Sequence, residues 1–466
     1  MLQFFKLNDP FRLVGILLFL GIFRLPYFLL GTPMIQPEMV WLLIGERMAS
    51  GIPMYDGIMD DTGPFSALFY GLLHFLFGKS LTAHHVLAGF VVFFQVAYLN
   101  HLFIRYKTYK ENTYLPAIVM LVYFHLSYDF LILSPSLLGN TFILLAFGQL
   151  FSQTALNKNA TESILLLGLF GGIALCFHFP LVVFFPLMVV FGVVIGGFNF
   201  QQLALSVTAY LLPFALVALY FFWIEGLEEF FVEFVLASRK IQRSVHTTVG
   251  ELAFVFFMPI LLSIFGFFAI LLVKKLYINQ QKQNQLMILY LICASFTVFL
   301  ANRTIGYQFL GLIPVFAFYT VHYLNSIRRP VFQSALFYLI LLGMPFIGVS
   351  WFFYKKNDPT YHQYAVMEGP EYAITKGTNV LVLGKDLGYY REASLATPYL
   401  NFAMAKPYLE NRRDFGQMAK INRFFVEEQP EWVIDEEGVF GAMLPFYPQI
   451  QALYEQEASD RYRLKK

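Results

Sequence analysis

The chain contains few cysteines and none of the common catalytic signatures. Its two cysteines, Cys176 and Cys293, lie inside apolar runs far apart in the sequence. This placement argues against both a disulfide framework and a thiolate metal site. The HExxH, GxSxG and P-loop patterns are also missing, which removes the metalloproteases, hydrolases and ATPases that these motifs identify.

Charged residues are scarce as well. They make up 13% of the 466 residues, whereas a soluble domain averages about 25%. The chain is 58% hydrophobic and 19% aromatic, and its mean hydropathy is +0.60. Its net charge is +2, and the basic residues are confined to short loops, which leaves no patch for a nucleic acid. This composition predicts a membrane protein.

The apolar runs predict a polytopic helical membrane domain. A membrane helix needs about 20 apolar residues. Candidate spans are 11–30, 83–104, 114–128, 137–153, 162–178, 180–197, 202–223, 252–273, 285–300, 308–326 and 333–353. The first is followed by Gly31 and Pro33 and not by a small-residue cleavage site, so we interpret it as a retained span.

The short apolar segment 64–78 is assigned by the charge of the loops that follow it. If the N-terminus is inside and this segment lies at the outer interface, the basic clusters of the later loops all fall inside. The prediction is therefore about eleven spans, a cytoplasmic N-terminus and an outer C-terminus. The short basic inner loops suit a bacterial inner membrane.

The composition changes to that of a soluble domain near Lys355. The runs 379–384 and 431–435 are predicted strands, and an amphipathic helix is predicted around 413–428. We therefore expect two domains. Residues 1–354 form the membrane domain, with an acidic first outer loop at 31–80, and residues 355–466 form a small α/β domain outside.

The first outer loop gathers acids next to a membrane. Glu38 follows Pro37 at a predicted helix start, where one role for a carboxylate is to complement the helix dipole. Asp60 and Asp61 could likewise cap the next helix. Alternatively, Glu38 with Asp60 or Asp61 forms an acidic pocket that deprotonates an acceptor hydroxyl or holds a divalent cation such as Mg²⁺ or Mn²⁺. Asp56 is a further acid of this loop.

Other outer loops supply one more acid and several cations. Asp129 is interpreted as a solvated turn residue, with a place in the same acidic pocket as the alternative. The basic and aromatic candidates for binding a lipid-linked phosphate are Arg239, Lys240, Arg243 and His246 in one cluster, with Arg303 and Tyr307 in another loop. The first cluster could instead rest on anionic headgroups.

Several motifs together resemble one family. They are Pro37-Glu38, GERMASGIPMY, the segment Asp61-Thr62-Gly63-Pro64-Phe65, LFGKS, SPSLLGNTFILLAF, ANRTIGYQFLGLIP and the VLVLG, TPYL and PEWVID segments. This series resembles the GT-C glycosyltransferases, especially the aminoarabinose transferases and protein O-mannosyltransferases. The chain departs from the family pattern at Pro37, where an acid is expected, and at Thr62, where a lysine is expected.

The resemblance implies a membrane enzyme that uses a lipid-linked sugar. The donor would be a polyprenyl-phosphate sugar, and the acceptor would be a lipid, glycan or protein of the envelope. Glu38 or Asp61 would act as general base or metal anchor, and the basic residues would hold the leaving phosphate. A non-catalytic scaffold with the same fold stays an alternative, whereas a transporter would be expected to show inverted repeats.

Overall fold

The computed structural model describes residues 1–156, 161–237, 244–272, 276–358 and 361–465. The helices of the first half are α1 (Leu2–Lys6), α2 (Arg12–Leu30), α3 (Gln36–Ala49), α4 (Pro64–Phe77), α5 (Leu81–Arg105), α6 (Leu115–Tyr123), α7 (Pro135–Leu156), α8 (Thr161–Phe177), α9 (Phe184–Val190), α10 (Phe200–Trp223) and α11 (Leu227–Phe230). The second half contains α12 (Val249–Leu272), α13 (Ile278–Leu300), α14 (Ile313–Ser326), α15 (Pro330–Tyr338), α16 (Met344–Lys356), α17 (Phe402–Glu410), α18 (Phe415–Glu428), α19 (Val439–Met443) and α20 (Pro448–Leu453). The strands are β1 (Ser244–Val245), β2 (Arg303–Thr304), β3 (Asn379–Leu383), β4 (Ser394–Leu395), β5 (Trp432–Asp435), β6 (Tyr454–Ala458) and β7 (Arg461–Leu464).

Long apolar helices dominate the chain, as the sequence predicts. Within the described residues, eight helical segments have the length and composition to cross a membrane. They are Arg12–Leu30, Leu81–Arg105, Pro135–Thr154, Phe200–Trp223, Val249–Leu272, Ile278–Leu300, Gly306–Ser326 and Pro330–Lys356. Shorter apolar helical segments occupy Pro64–Phe77, Thr161–Phe177 and Phe179–Ile195. The predicted polytopic helical fold with a small α/β region is confirmed.

The predicted span 114–128 differs from the others. Its helix, α6, has nine residues, and all nine side chains are buried. A helix of this length rises about 14 Å, less than half the thickness of the hydrocarbon layer. The apolar run is explained by burial in the protein core and not by contact with lipid.

The contacts divide the chain into two units. The membrane unit consists of Met1–Thr32, His84–Val217 and Val245–Asn357. Its helices approach closely through small residues; a Cβ on Gly266 of α12 would lie 1.8 Å from the carbonyl oxygen of Tyr319 in α14. Only glycine allows this approach, which is a common way to pack helices in membranes.

The second unit, here called the acidic unit, consists of Pro33–Ala83, Ala218–Ser244 and Asp358–Lys466. The segment that contains the acidic loop therefore groups with the C-terminal region by its contacts. The boundary at residue 354 stays a prediction.

A five-stranded sheet lies in the acidic unit, in the order β4-β3-β5-β7-β6. β3 runs parallel to β4 and β5, whereas β7 is antiparallel to β5 and β6. β3, β5 and α18 coincide with the predicted strands and amphipathic helix. The C-terminal hairpin of β6 and β7 was not predicted.

Candidate functional site

The acidic loop at 31–80 is joined to the C-terminal region by backbone and side-chain hydrogen bonds. The N–H of Met59 donates to the carbonyl of Pro398 at 2.8 Å, and the N–H of Asn401 donates to the carbonyl of Met59 at 3.1 Å. Arg47 of α3 donates to both carboxylate oxygens of Glu428 at 2.8 and 3.0 Å. These bonds fix the position of the acids of the loop inside the acidic unit.

Asp60 is fully buried and bonded at both carboxylate oxygens. One oxygen accepts the N–H and the hydroxyl of Thr62, and the other accepts the Asn401 side-chain amide at 3.0 Å. This local turn leads into Pro64, the first residue of α4. Asp60 therefore holds the turn in shape, and Asp61 beside it is half-buried.

Glu233 is an acid that the sequence analysis did not single out. Its side chain is 1% exposed, and its carboxylate accepts the N–H of Asp60. One carboxylate oxygen has no hydrogen-bond partner among the described residues. Burial, followed by the negative charge of Asp60, raises the pKa of Glu233 well above its usual range. The only signal in the sequence was the acidic run in GLEEFFVEF.

Glu233 lines a cavity of about 290 Å³ in the acidic unit. Its acidic lining residues are Asp56, Glu228, Glu229, Glu233 and Asp414, and its aromatic ones are Tyr55, Tyr399, Tyr408 and Phe424. Lys420 also lines it and pairs with Glu229 at 2.6 Å and, more weakly, with Asp56 at 3.9 Å. Aromatic faces with carboxylates suit a neutral, polyhydroxylated ligand or a cationic one, and disfavour an anion.

Glu38 occupies the first turn of α3 and is 2% exposed. Its carboxylate accepts the N–H of Ile35, just before the helix, at 3.0 Å. At this position the carboxylate can complement the dipole of α3, which is the first of its two predicted roles. The structure thus brings Asp56 and Asp60 together around Glu233, and it places Glu38 at a helix start.

The solvated assignment of Asp129 is wrong. Asp129 belongs to the membrane unit, is 1% exposed and accepts the hydroxyl of Ser127. A Cβ on Gly306 would lie 2.4 Å from a carboxylate oxygen of Asp129, so the turn that contains Gly306 covers this carboxylate. The sequence could not show this long-range packing.

The same turn carries the predicted phosphate ligands Arg303 and Tyr307. Arg303 is half-buried on β2, and Tyr307 is 3% exposed in the 3₁₀ helix Gly306–Leu312. The structure therefore brings a buried acid, an arginine and a tyrosine to neighbouring turns of the membrane unit.

Of the predicted basic cluster at 239–246, His246 lies within the described residues. Arg239, Lys240 and Arg243 are outside the described residues. His246 follows β1, and its N–H donates to the carbonyl of Thr304 at 3.0 Å. Its own carbonyl accepts the ammonium group of Lys355, which also pairs with Glu251 at 2.8 Å.

A divalent cation would need further ligands at this site. Within the described residues, no three His, Cys, Asp or Glu side chains are grouped so that they could hold a metal ion. Mg²⁺ is commonly held by one or two carboxylates together with water and substrate phosphates. The acids of the loop fit a site completed by water and substrate phosphates better than a site built from protein ligands alone.

Comparison with known proteins gives a match in structure alone. No protein-family model matches the chain, and no curated protein matches its sequence. Among solved structures it is similar to ArnT from Cupriavidus metallidurans bound to undecaprenyl phosphate, with a TM-score of 0.55 and 11% identity. The match covers 96% of this chain and 97% of ArnT. The chain therefore shares its overall fold with that structure, and its apolar helices suit a multi-pass membrane protein.

Proposed function

We propose that this chain is a membrane glycosyltransferase that transfers a sugar from a polyprenyl-phosphate donor to an acceptor of the bacterial envelope. The observation that carries the proposal is the likeness to ArnT over almost the whole of both chains, since the ArnT structure holds undecaprenyl phosphate. Transfer is proposed on the outer face of the inner membrane, with a cytoplasmic N-terminus and the C-terminal region outside.

The donor phosphate is assigned to the turn that carries Arg303 and Tyr307. Negative charge develops on the phosphate as the bond to the sugar breaks, and a guanidinium stabilises that charge. Asp129, buried against Gly306 in the same region, supports the shape of this turn. Arg239, Lys240 and Arg243 stay further candidates for this role.

The acceptor is assigned to the acidic unit. A carboxylate takes the proton of the acceptor hydroxyl, whose oxygen then forms a bond to the anomeric carbon. The bond between that carbon and the donor phosphate breaks, and polyprenyl phosphate leaves. Asp61 suits the role of base because it is half-buried, so an acceptor can reach it, whereas Asp60 is fully buried. Glu38 is the second candidate.

Donor binding can be tested before the sugar is known. Undecaprenyl phosphate, added to the purified chain in detergent, should raise its Tm because a ligand that binds the folded state stabilises it. Undecaprenol, which lacks the phosphate, should not. The rise in Tm should be absent in Arg303→Ala. It should be retained in the control Arg413→Ala, because Arg413 is exposed. Equal shifts with both lipids, or with both variants, would remove the phosphate site from this turn.

Catalysis is then tested with a panel of undecaprenyl-phosphate sugars. Asp61→Asn should lower the transfer rate at least about 100-fold, the usual contribution of a general base. Glu38→Gln keeps an oxygen for the Ile35 N–H, so it tests chemistry separately from helix capping. Exposed Glu457→Gln is the control. Unaltered transfer by both acid variants would refute their catalytic roles, and donor binding without transfer would favour the scaffold alternative.

A further inference from the structure

A second cavity lies in the membrane unit, at the end where α2 begins. It has a volume of about 410 Å³, within the range of about 300–1,000 Å³ that is usual for ligand pockets. Its walls come from the N-terminal segment, the loop after α5, the first turn of α13 and the connection between α14 and α15. We call it the cationic cavity.

The lining of the cationic cavity carries an excess of positive charge. Among the described residues, Lys6, Lys110 and Arg328 line it together with a single carboxylate, that of Glu111. Among the described residues, none of the three cations forms an ion pair with a carboxylate. Lys355 of the same unit shows the contrasting case, because its buried ammonium group faces Glu251 at 2.8 Å. Lys6 is half-buried, whereas Lys110 and Arg328 are exposed at the rim, so among the described lining residues the three cations outnumber the carboxylate and are open to an anion.

Hydrogen bonds hold the polar walls of the cavity in place. The Gln280 side chain donates to the carbonyls of Lys107 and Thr108 at 3.2 and 3.3 Å. Lys6 donates to the Gln333 side chain at 2.6 Å, and Gln333 in turn donates to a backbone carbonyl of α14. These bonds connect the loop after α5 to α13, and the N-terminal segment to α15.

The cavity also contains a hydroxyl with unused bonding capacity. Thr108 lines it and is 1% exposed, and its hydroxyl has no hydrogen-bond partner among the described residues. Ammonium, guanidinium and hydroxyl groups are the donors that phosphate oxygens accept. A pocket of this kind between membrane helices, at their ends, matches the sites at which proteins bind anionic lipid headgroups.

We propose that the cationic cavity binds a phosphate group, carried by an anionic phospholipid or present as free phosphate. The excess of cations over carboxylates selects an anion, and the hydroxyl and amide groups around it accommodate the phosphate oxygens. The site is separate from the turn assigned to the donor phosphate. It therefore stands whether or not the chain transfers sugars.

The test uses the full chain in detergent, with Tm followed by tryptophan fluorescence. The probes are short-chain phosphatidylglycerol, short-chain phosphatidylcholine and inorganic phosphate. Lys110→Gln/Arg328→Gln removes two cations and leaves the bond between Lys6 and Gln333 intact. The matched control is Lys107→Gln/Arg329→Gln, which removes two exposed cations at the same end of the helices but outside the cavity lining.

Phosphatidylglycerol should stabilise the native chain and the control. The cavity variant should need roughly 25-fold more lipid, at about fivefold for each cation removed. If inorganic phosphate stabilises with the same dependence on the cavity residues, free phosphate is the ligand; if it does not, the lipid headgroup is. Equal stabilisation by phosphatidylcholine, or an equal loss in the cavity variant and the control, would overturn the proposal.

Discussion

The pair of Arg47 and Glu428 allows a quantitative test of the acidic unit. Arg47 is 5% exposed, and besides both carboxylate oxygens it donates to the carbonyls of Leu395 and Gly57 at 3.0 and 3.1 Å. It thus connects α3, the acidic loop, β4 and the end of α18. We predict that Arg47→Met destabilises this unit and loosens the loop that carries Asp60.

The magnitude follows from what the substitution leaves behind. Breaking a buried ion pair by removing one partner costs about 3–5 kcal/mol, because the other charge stays buried without compensation. In the variant the Glu428 side chain, which is 26% exposed, still accepts a hydrogen bond from the N–H of Thr397, at 2.8 Å. The low end, about 3 kcal/mol, is therefore expected. At roughly 2–4 °C per kcal/mol for a unit of this size, Tm should fall by about 6–12 °C.

Thermal unfolding of the purified chain measures the effect, with hydrogen exchange of the 33–83 segment as the local readout. Lys376→Met is the control, because its pair with Glu392 is largely exposed and should leave Tm unchanged. Arg47→Met/Glu428→Met should recover part of the loss, since it leaves no unpaired charge. A fall in Tm no larger than that of the control would refute the reasoning, as would a double variant that is no better than the single one.

Three further predictions concern one buried acid and two glycines at close contacts. Glu233→Gln should flatten the pH dependence of the free energy of unfolding. The pKa of Glu233 is raised in the folded state, so the stability that is present below its unfolded pKa of about 4.3 is lost as pH rises. The loss is at most about 1.4 kcal/mol for each pH unit. Gly306→Ala should destabilise the membrane unit by about 1–3 kcal/mol, because its Cβ would meet the Asp129 carboxylate at 2.4 Å. Gly45→Ala should have a similar cost in the acidic unit, because its Cβ would lie 2.7 Å from the Tyr70 carbonyl oxygen.

Thermal unfolding provides the measurement for all three, with controls from the same chain. Gly21→Ala is the control for both glycine substitutions, because a Cβ at Gly21 meets no atom within 4 Å. If Gly306→Ala or Gly45→Ala had the same Tm as Gly21→Ala, the close contact at that glycine would be contradicted. Parallel plots of Tm against pH from 5 to 8 for the native chain and Glu233→Gln would contradict the raised pKa.

Much of the fold could be predicted because its signals are local. A long apolar run specifies a membrane helix by length and composition alone, and the β-branched run 379–384 specifies a buried strand. The hairpin of β6 and β7 lacks such a signal, since four of the five residues of β6 are exposed. It forms because β7 pairs with β5, with Val433 opposite Tyr462. That contact joins residues 29 positions apart, and no local pattern reveals it.

The site was predicted less well because burial of a polar group depends on distant segments. Asp129 looks like a turn residue in its local sequence, but it is buried, and the turn at Gly306 packs against its carboxylate. The local sequence of Glu38 allows two roles, as a partner of the helix dipole or as part of an acidic pocket, and only the structure shows that its carboxylate is buried and accepts the N–H of Ile35. In both cases the residue type was informative, whereas its environment was set by the tertiary structure.

Glu233 and Asp60 raise a further question, namely why the fold keeps two carboxyl groups buried together. Asp60 has a structural role, since its bonds to Thr62 and Asn401 hold the turn in shape. For Glu233 structural needs give less reason, because replacing a buried charged group by an apolar side chain of similar volume is often neutral or stabilising. One carboxylate oxygen of Glu233 lacks a partner among the described residues, and this raises the cost of burial. Acids kept in such an environment, beside a cavity, are typical of sites at which a proton is held or transferred. Glu233 therefore belongs among the candidates for the chemistry of the acidic unit, although its sequence neighbourhood marks it only as one acid among several.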